Sequence, residues 1–189
     1  MMNVKEHDFR ANSLDKTISA LYTTILEMEE FRKENYWYDG LFFLEDTEHI
    51  FGLAFIAFQN YINASIKDLT NIGGKDLQTK YYKLGNKLKP SNYTLIELIV
   101  ALANYIKHKE DDAEDFHRST RNVLTNFKLN TNKDCDITES AIFKGLDKID
   151  QDWNLKNIQS RVEEWRRDIA LCIIANTQNA KPFTDDLLF

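Results

Sequence analysis

Six glycines and two prolines are all that 189 residues contain, and this shortage constrains the fold more than any motif does. Hairpins, bulges and strand-to-helix loops use glycine or proline at most reversals. A chain this poor in both is expected to be all-α, a multi-helix bundle of long antiparallel helices. With 43% hydrophobic and 12% aromatic residues the composition is globular. The length suits a single all-helical domain over residues 1–189 with one substantial core.

Periodicity places the helices. Ile18, Leu21, Tyr22, Ile25, Met28 and Phe31 recur at helical spacing, predicting a helix from Ser13 to about Asn35 with Asn12 or Ser13 as cap. Asp39-Gly40 reads as a turn. Phe51, Phe55, Phe58, Ile62, Ile66 and Leu69 form one stripe on a second helix, from about Leu44 to Leu69, and Gly73-Gly74 ends that hairpin. Glu45, Asp46 and Glu48 favour its N-terminal turn through the helix dipole. A short basic helix follows, Lys75 to Leu84, then a loop around Pro90. Thr94-x-x-Glu97 has the form of a capping box and opens a helix to about Lys109.

Three more helices are expected. One spans about Asp115 to Leu129, and one runs from an Asp136-x-x-Glu139 cap to about Ile149. The last covers about Leu155 to Thr177, with Leu155, Ile158, Val162, Trp165, Ile169, Cys172 and Ile173 inward. The tail KPFTDDLLF carries apolar residues that could dock on the bundle.

Charge and cysteine usage narrow the partners. A formal net charge of -6 gives no global attraction to nucleic acid, so any such binding needs a local basic patch. Cys135 and Cys172 form no framework and no metal-ligand spacing, and Cys135 reads as exposed. MMNVKEHDFRANS does not read as a signal peptide, so the expected home is a reducing cytoplasm. The longest apolar run, Ile50 to Phe58, falls far short of the ~20 residues of a membrane span.

The helix opening at Thr94 is apolar nearly all round. Leu95, Leu98, Leu102 and Tyr105 line one flank; Ile96, Ile99, Val100, Ala103 and Ile106 line another. Such a helix belongs at the centre of a bundle. Glu97, Ala101, Asn104 and His108 remain as one narrow stripe. Satisfied polar groups and a histidine closing a helix end would explain it, and so would the floor of a site. The second helix has a polar side of its own: His49, Gly52, Gln59, Asn60, Asn63 and Lys67. Gly52 would permit close approach. If the two helices pair, His49, Asn60 or Asn63 is expected to meet Asn104 and His108.

Ala103-Asn104-Tyr105-Ile106-Lys107-His108 resembles the motif of HEPN domains, in which an arginine, a polar residue and then a histidine lie near the end of a core helix. The resemblance implies a helical bundle, commonly a homodimer, associated with RNA in defence or toxin–antitoxin systems. Many members are metal-independent RNases. It implies catalytic roles for His108 as acid or base, with Asn104 and Lys107 in support. Ala103 stands where the family has arginine, and Lys107 lies about 100° round the helix from His108. Alanine holds no phosphate, so the departure implies a degenerate member. A second start, Arg121-Asn122, has Asn126 in the histidine's place.

Other groupings offer further chemistry. Lys75, Lys80, Lys83, Lys87 and Lys89, interleaved with Tyr81 and Tyr82, are the candidate RNA contacts; a solvated face with aromatic anchors would look the same. Asp46-x-x-His49 and Glu114-x-x-His117 each set a carboxylate and an imidazole one turn apart, as in di-metal bundle enzymes. The extra inward glutamates of such sites are not evident, so no metal ligand and no cofactor is assigned, and a metal-dependent bundle enzyme using His49 and His117 stays as a third reading. Asn130 to Asp136 fails as a calcium loop at Cys135 and Ala141. No phosphate-binding or dinucleotide-binding glycine loop occurs. Besides the RNA reading, an acidic, aromatic-rich chain suits a non-enzymatic interaction protein, of immunity or antitoxin type, that meets a basic partner.

Overall fold

The computed structural model describes residues 8–70, 75–111, 116–132 and 134–179. Among them are seven α-helices and no strand: α1 (Ala11–Glu34), α2 (Gly40–Thr70), α3 (Lys75–Tyr82), α4 (Leu95–His108), α5 (Arg118–Asn126), α6 (Ala141–Ile149) and α7 (Leu155–Asn179). The fold is the all-α bundle expected from the scarcity of turn residues. No described helix is long and apolar enough to cross a membrane.

α2 meets the most other helices, with α1, α3, α4, α6 and α7 all against it, while α4 is buried among α2, α5 and α6, and α1 and α7 also pack on each other. Leu98, Ile99, Leu102, Ala103 and Tyr105 are all fully withdrawn from water. Burial of each large side chain of this kind is worth about 1.5–3 kcal/mol. The capping box is present: Glu97 N donates to Thr94 Oγ1 at 3.2 Å, and Thr94 N donates to Glu97 Oε2 at 2.8 Å. Two glycines set how closely neighbours approach α4. A Cβ on Gly52 of α2 would lie 2.5 Å from Ile106 Cγ1, and one on Gly145 of α6 would lie 2.6 Å from Leu102 Cδ1.

Several expected boundaries move, each for a local reason. α1 begins at Ala11, and neither Asn12 nor Ser13 caps it. Asp8 Oδ1 instead accepts from the amides of Arg10 and Ala11, each at 3.2 Å. α2 begins at Gly40, because Asp39 is a cap: its Oδ1 accepts from Leu41 N at 2.8 Å and Phe42 N at 3.2 Å. Glu45, Asp46 and Glu48 therefore lie beyond the first turn.

α5 is shorter than expected, opening with the His117 side chain as cap and closing where Lys128 takes a positive φ of 59°. Asp136 to Glu139 makes a 3-10 turn, and Ser140 caps α6 after it. On α7 the expected inward residues are buried as far as Ile169, and Ile173 is partly buried against the core. Cys172 is the exception: it is exposed. Cys135 is half-buried rather than exposed. Gly73-Gly74, Glu114, Asp115 and the tail KPFTDDLLF lie outside the described residues.

Candidate functional site

At the end of α4 the polar residues divide into two groups. Asn104 turns into the α2–α4 interface, where Gln59 Nε2 donates to its Oδ1 at 2.9 Å and its own Nδ2 donates to Thr120 Oγ1 at 3.3 Å. Lys107 Nζ donates to Gln59 Oε1, and burial holds this ammonium below its usual pKa. The partner from α2 is Gln59. His49 is exposed, Asn60 is exposed in a groove beside α1, and Asn63 accepts from the Tyr82 hydroxyl. His108 stands apart and exposed, its Nδ1 2.6 Å from Asp111 Oδ2. The structure therefore joins Asn104 and Lys107 through a shared glutamine and leaves His108 outside that network. Ala101 and Ala103 are buried, and Glu97 serves the capping box.

A second polar cluster lies beneath the following loop. Glu48 is 3% exposed and accepts from Lys109 Nζ at 2.7 Å and from the Ser140 hydroxyl. The hydroxyl of Tyr105 has no hydrogen-bond partner of regular geometry, although Ser140 and Cys135 are its neighbours. Burial, with the nearby Cys135 and Glu48, pushes this phenol well above its ordinary pKa. The sequence placed Glu48 in the N-terminal turn of α2, as a partner of the helix dipole. Its spacing, three before Phe51 and seven before Phe55, marks the buried face. The cluster ties α2, α4 and α6 together.

Exposed apolar surface gathers where α1 meets α2. Among the described residues, six of the ten exposed large hydrophobics are Leu26, Phe31, Tyr36, Trp37, Leu41 and Phe42. Phe31, Trp37 and Tyr38 are mutually edge-on, with ring centroids 5.3–5.8 Å apart and interplanar angles of 70–81°. Phe42 stacks on Tyr38 at 6.3 Å. These four rings, with Thr24, Glu27, Met28 and Asp46, line an open cavity of about 450 Å³. The Tyr38 hydroxyl donates to Asp46 Oδ2 at 2.7 Å; burial and then this bond push its pKa up to about 12. On the other side of the hairpin, Arg32 is held by Glu29 at 2.7 Å and lies 5.5 Å from the Phe43 centroid. The sequence signal for this surface is a turn, Asp39-Gly40, flanked by Tyr36-Trp37-Tyr38 and Leu41-Phe42-Phe43 where turns ordinarily carry polar side chains.

The remaining candidates stay dispersed. Lys80, Lys83, Lys87 and Lys89 are exposed, while the side chain of Lys75 falls outside the described set. The interleaved tyrosines are anchors. Tyr81 packs against the core, and Tyr82 bonds Asn63 and accepts at its carbonyl from Thr94 Oγ1 at 2.5 Å. Asp46 is engaged by Tyr38, and His117 caps α5. Among the described residues no three histidine, cysteine or carboxylate side chains come close enough to share a metal ion. Compared with protein-family models, curated proteins and solved structures, the chain matches none.

Proposed function

We propose that this chain is an interaction protein, of immunity or antitoxin type, that docks a basic protein partner on the aromatic tip of the α1–α2 hairpin. One observation carries the reading: the largest group of exposed aromatic side chains lies on one tip within an acidic frame. Glu27, Glu29, Glu30, Glu34, Asp39, Glu45 and Asp46 face only two cations over the same stretch, Arg32 and Lys33. Both of those are already paired, with Glu29 and Glu30. Exposed aromatic anchors supply affinity, and the acidic rim selects the sign of the partner. A second copy of the chain meets the tip poorly, since a two-fold contact would set acid against acid.

Selection of a random peptide display library on the immobilised full chain tests this. Enriched peptides are expected to be rich in arginine or lysine around an apolar anchor, and to be lost on a Trp37→Ser/Phe42→Ser surface. Enrichment of acidic or uncharged peptides, or equal capture by the variant, would overturn it.

An RNA-cleaving role of HEPN-like type is a second reading, and the His108–Asp111 contact favours it. An exposed imidazole oriented by a carboxylate has the arrangement of a general acid or base. Metal-independent cleavage in EDTA that disappears in His108→Ala, at equal thermal stability, is the outcome this reading requires. Its absence from both proteins would sink it.

A further inference from the structure

The acidic, aromatic cavity on the α1 side of the hairpin has the chemistry of a cation receptor. Phe31, Trp37 and Tyr38 present three planes at 70–81° to one another, the relationship between walls that meet at the corner of a box. Phe42 stacks on Tyr38 at an interplanar angle of 13°; Tyr38 is itself buried, so the rings the cavity leaves open to a ligand are those of Phe31, Trp37 and Phe42. Aromatic faces attract a cation within about 6 Å of the ring centroid through their quadrupole. Two carboxylates complete the lining, Glu27 from α1 and Asp46 from α2. Only Oδ2 of Asp46 is engaged by Tyr38. Glu27 has no ion-pair or hydrogen-bonding side-chain partner among the described residues.

The cations nearest in sequence are committed elsewhere. Arg32 is bound to Glu29 and lies over Phe43, and Lys33 is bound to Glu30. The cavity therefore combines aromatic walls and negative charge, and no cation among the described residues is paired with its carboxylates.

We propose that this cavity receives an arginine side chain of the protein partner, its guanidinium against the rings and its N–H groups directed to Glu27 and Asp46. The assignment rests on the partner-docking reading and names the contact at its centre. Arginine fits better than lysine on two counts. Its planar head stacks on aromatic faces, and its fork of donors can serve two carboxylates at once, whereas an ammonium is a compact, strongly hydrated point charge.

The test is a titration of the ¹⁵N-labelled full chain with blocked arginine amide, at constant ionic strength, following the Trp37 indole N–H cross-peak. Trp37→Phe identifies that peak among those of the three tryptophans. The expected result is a saturable shift with the arginine probe and little shift with the blocked citrulline amide, its neutral isostere. Blocked lysine amide should bind more weakly than arginine. Glu27→Gln should weaken arginine binding by about two- to fivefold, the range of an exposed charge contact. Asp46→Asn, which keeps an acceptor for Tyr38, is the second variant. No shift at Trp37, an equal shift with citrulline, or an unchanged affinity in both variants would overturn the assignment. The outcomes also separate from the docking reading. Basic peptides that bind the tip without a Trp37 response to arginine would remove the cavity and keep the surface. A response to arginine with no enrichment of basic peptides would do the reverse.

Discussion

Lys109 Nζ lies 2.7 Å from Glu48 Oε2, and the two side chains are only 14% and 4% exposed. The pair closes the α2–α4 seam at the point where the chain leaves α4, and the Ser140 hydroxyl binds the same carboxylate from the cap of α6. Removing one partner leaves a buried charge with no counter-charge, which costs about 3–5 kcal/mol in comparable sites. Lys109→Met is therefore expected to lower the unfolding free energy by that order. The double variant Glu48→Gln/Lys109→Met is expected to recover most of the loss, because no net charge remains buried. Urea unfolding of the set decides this, and additive losses in the double variant would contradict it.

The close approach of α2 and α4 makes a second prediction. Gly52→Ala places a methyl group 2.5 Å from Ile106 Cγ1. Overpacking of this kind costs about 1–3 kcal/mol. Ile106→Ala removes the obstructing atom, so Gly52→Ala should cost far less in that background. A thermal-melting double-mutant cycle reads the coupling, and a cost unchanged by Ile106→Ala would show that the glycine serves another purpose.

Asn104 and His108 share a stripe on α4, and their environments predict opposite sensitivities. Asn104→Ala leaves the Gln59 amide and the Thr120 hydroxyl each without one partner, at a cost of about 1–3 kcal/mol. His108 is exposed, and His108→Ala should change stability by less than about 0.5 kcal/mol. Denaturant midpoints of the two variants check the contrast. Comparable losses would mean that His108 carries a structural contact beyond Asp111.

Tyr38 gives the hairpin tip an alkaline signature. An unfolded phenol ionises near pH ~10, and in the fold this one is pushed up to about 12, first by burial and then by its bond to Asp46. A group whose folded pKa is raised contributes fully below its unfolded value and loses that contribution as pH rises through the folded one. Stability should therefore fall between about pH 10 and pH 12, and Tyr38→Phe should fall less steeply over the same window. Parallel curves for the two proteins would place the phenol in water.

Much of the architecture was legible in the residues, and the failures have physical causes. The stripe from Phe51 to Ile66 and the box Thr94–Glu97 report their own helices, because periodicity and capping are local. Gly52 was legible as a contact, since a side-chain-free position on a packed helix signals close approach. The partner of Asn104 was not. Gln59 and Asn60 differ by one residue, about 100° of helix, and their choice depends on a register fixed by Gly52 against Ile106. Asp39 was read as a turn when it also caps, so the aromatic residues after it were missed as the first turn of α2. The tip itself was hidden for a simpler reason. Phe31, Trp37 and Phe42 look like core residues in any pattern, and only the packed fold shows them exposed.

The α1–α2 tip is proposed as the recognition surface for a basic partner. The most direct test is the affinity of a selected basic peptide for the wild-type chain and for Trp37→Ser/Phe42→Ser, both shown to melt at the same temperature. Buried aromatic anchors at interface centres commonly carry 2 kcal/mol or more, so the account predicts a loss of about tenfold or greater, with binding to both proteins weakening as salt is raised. Equal affinity for the two proteins would contradict it.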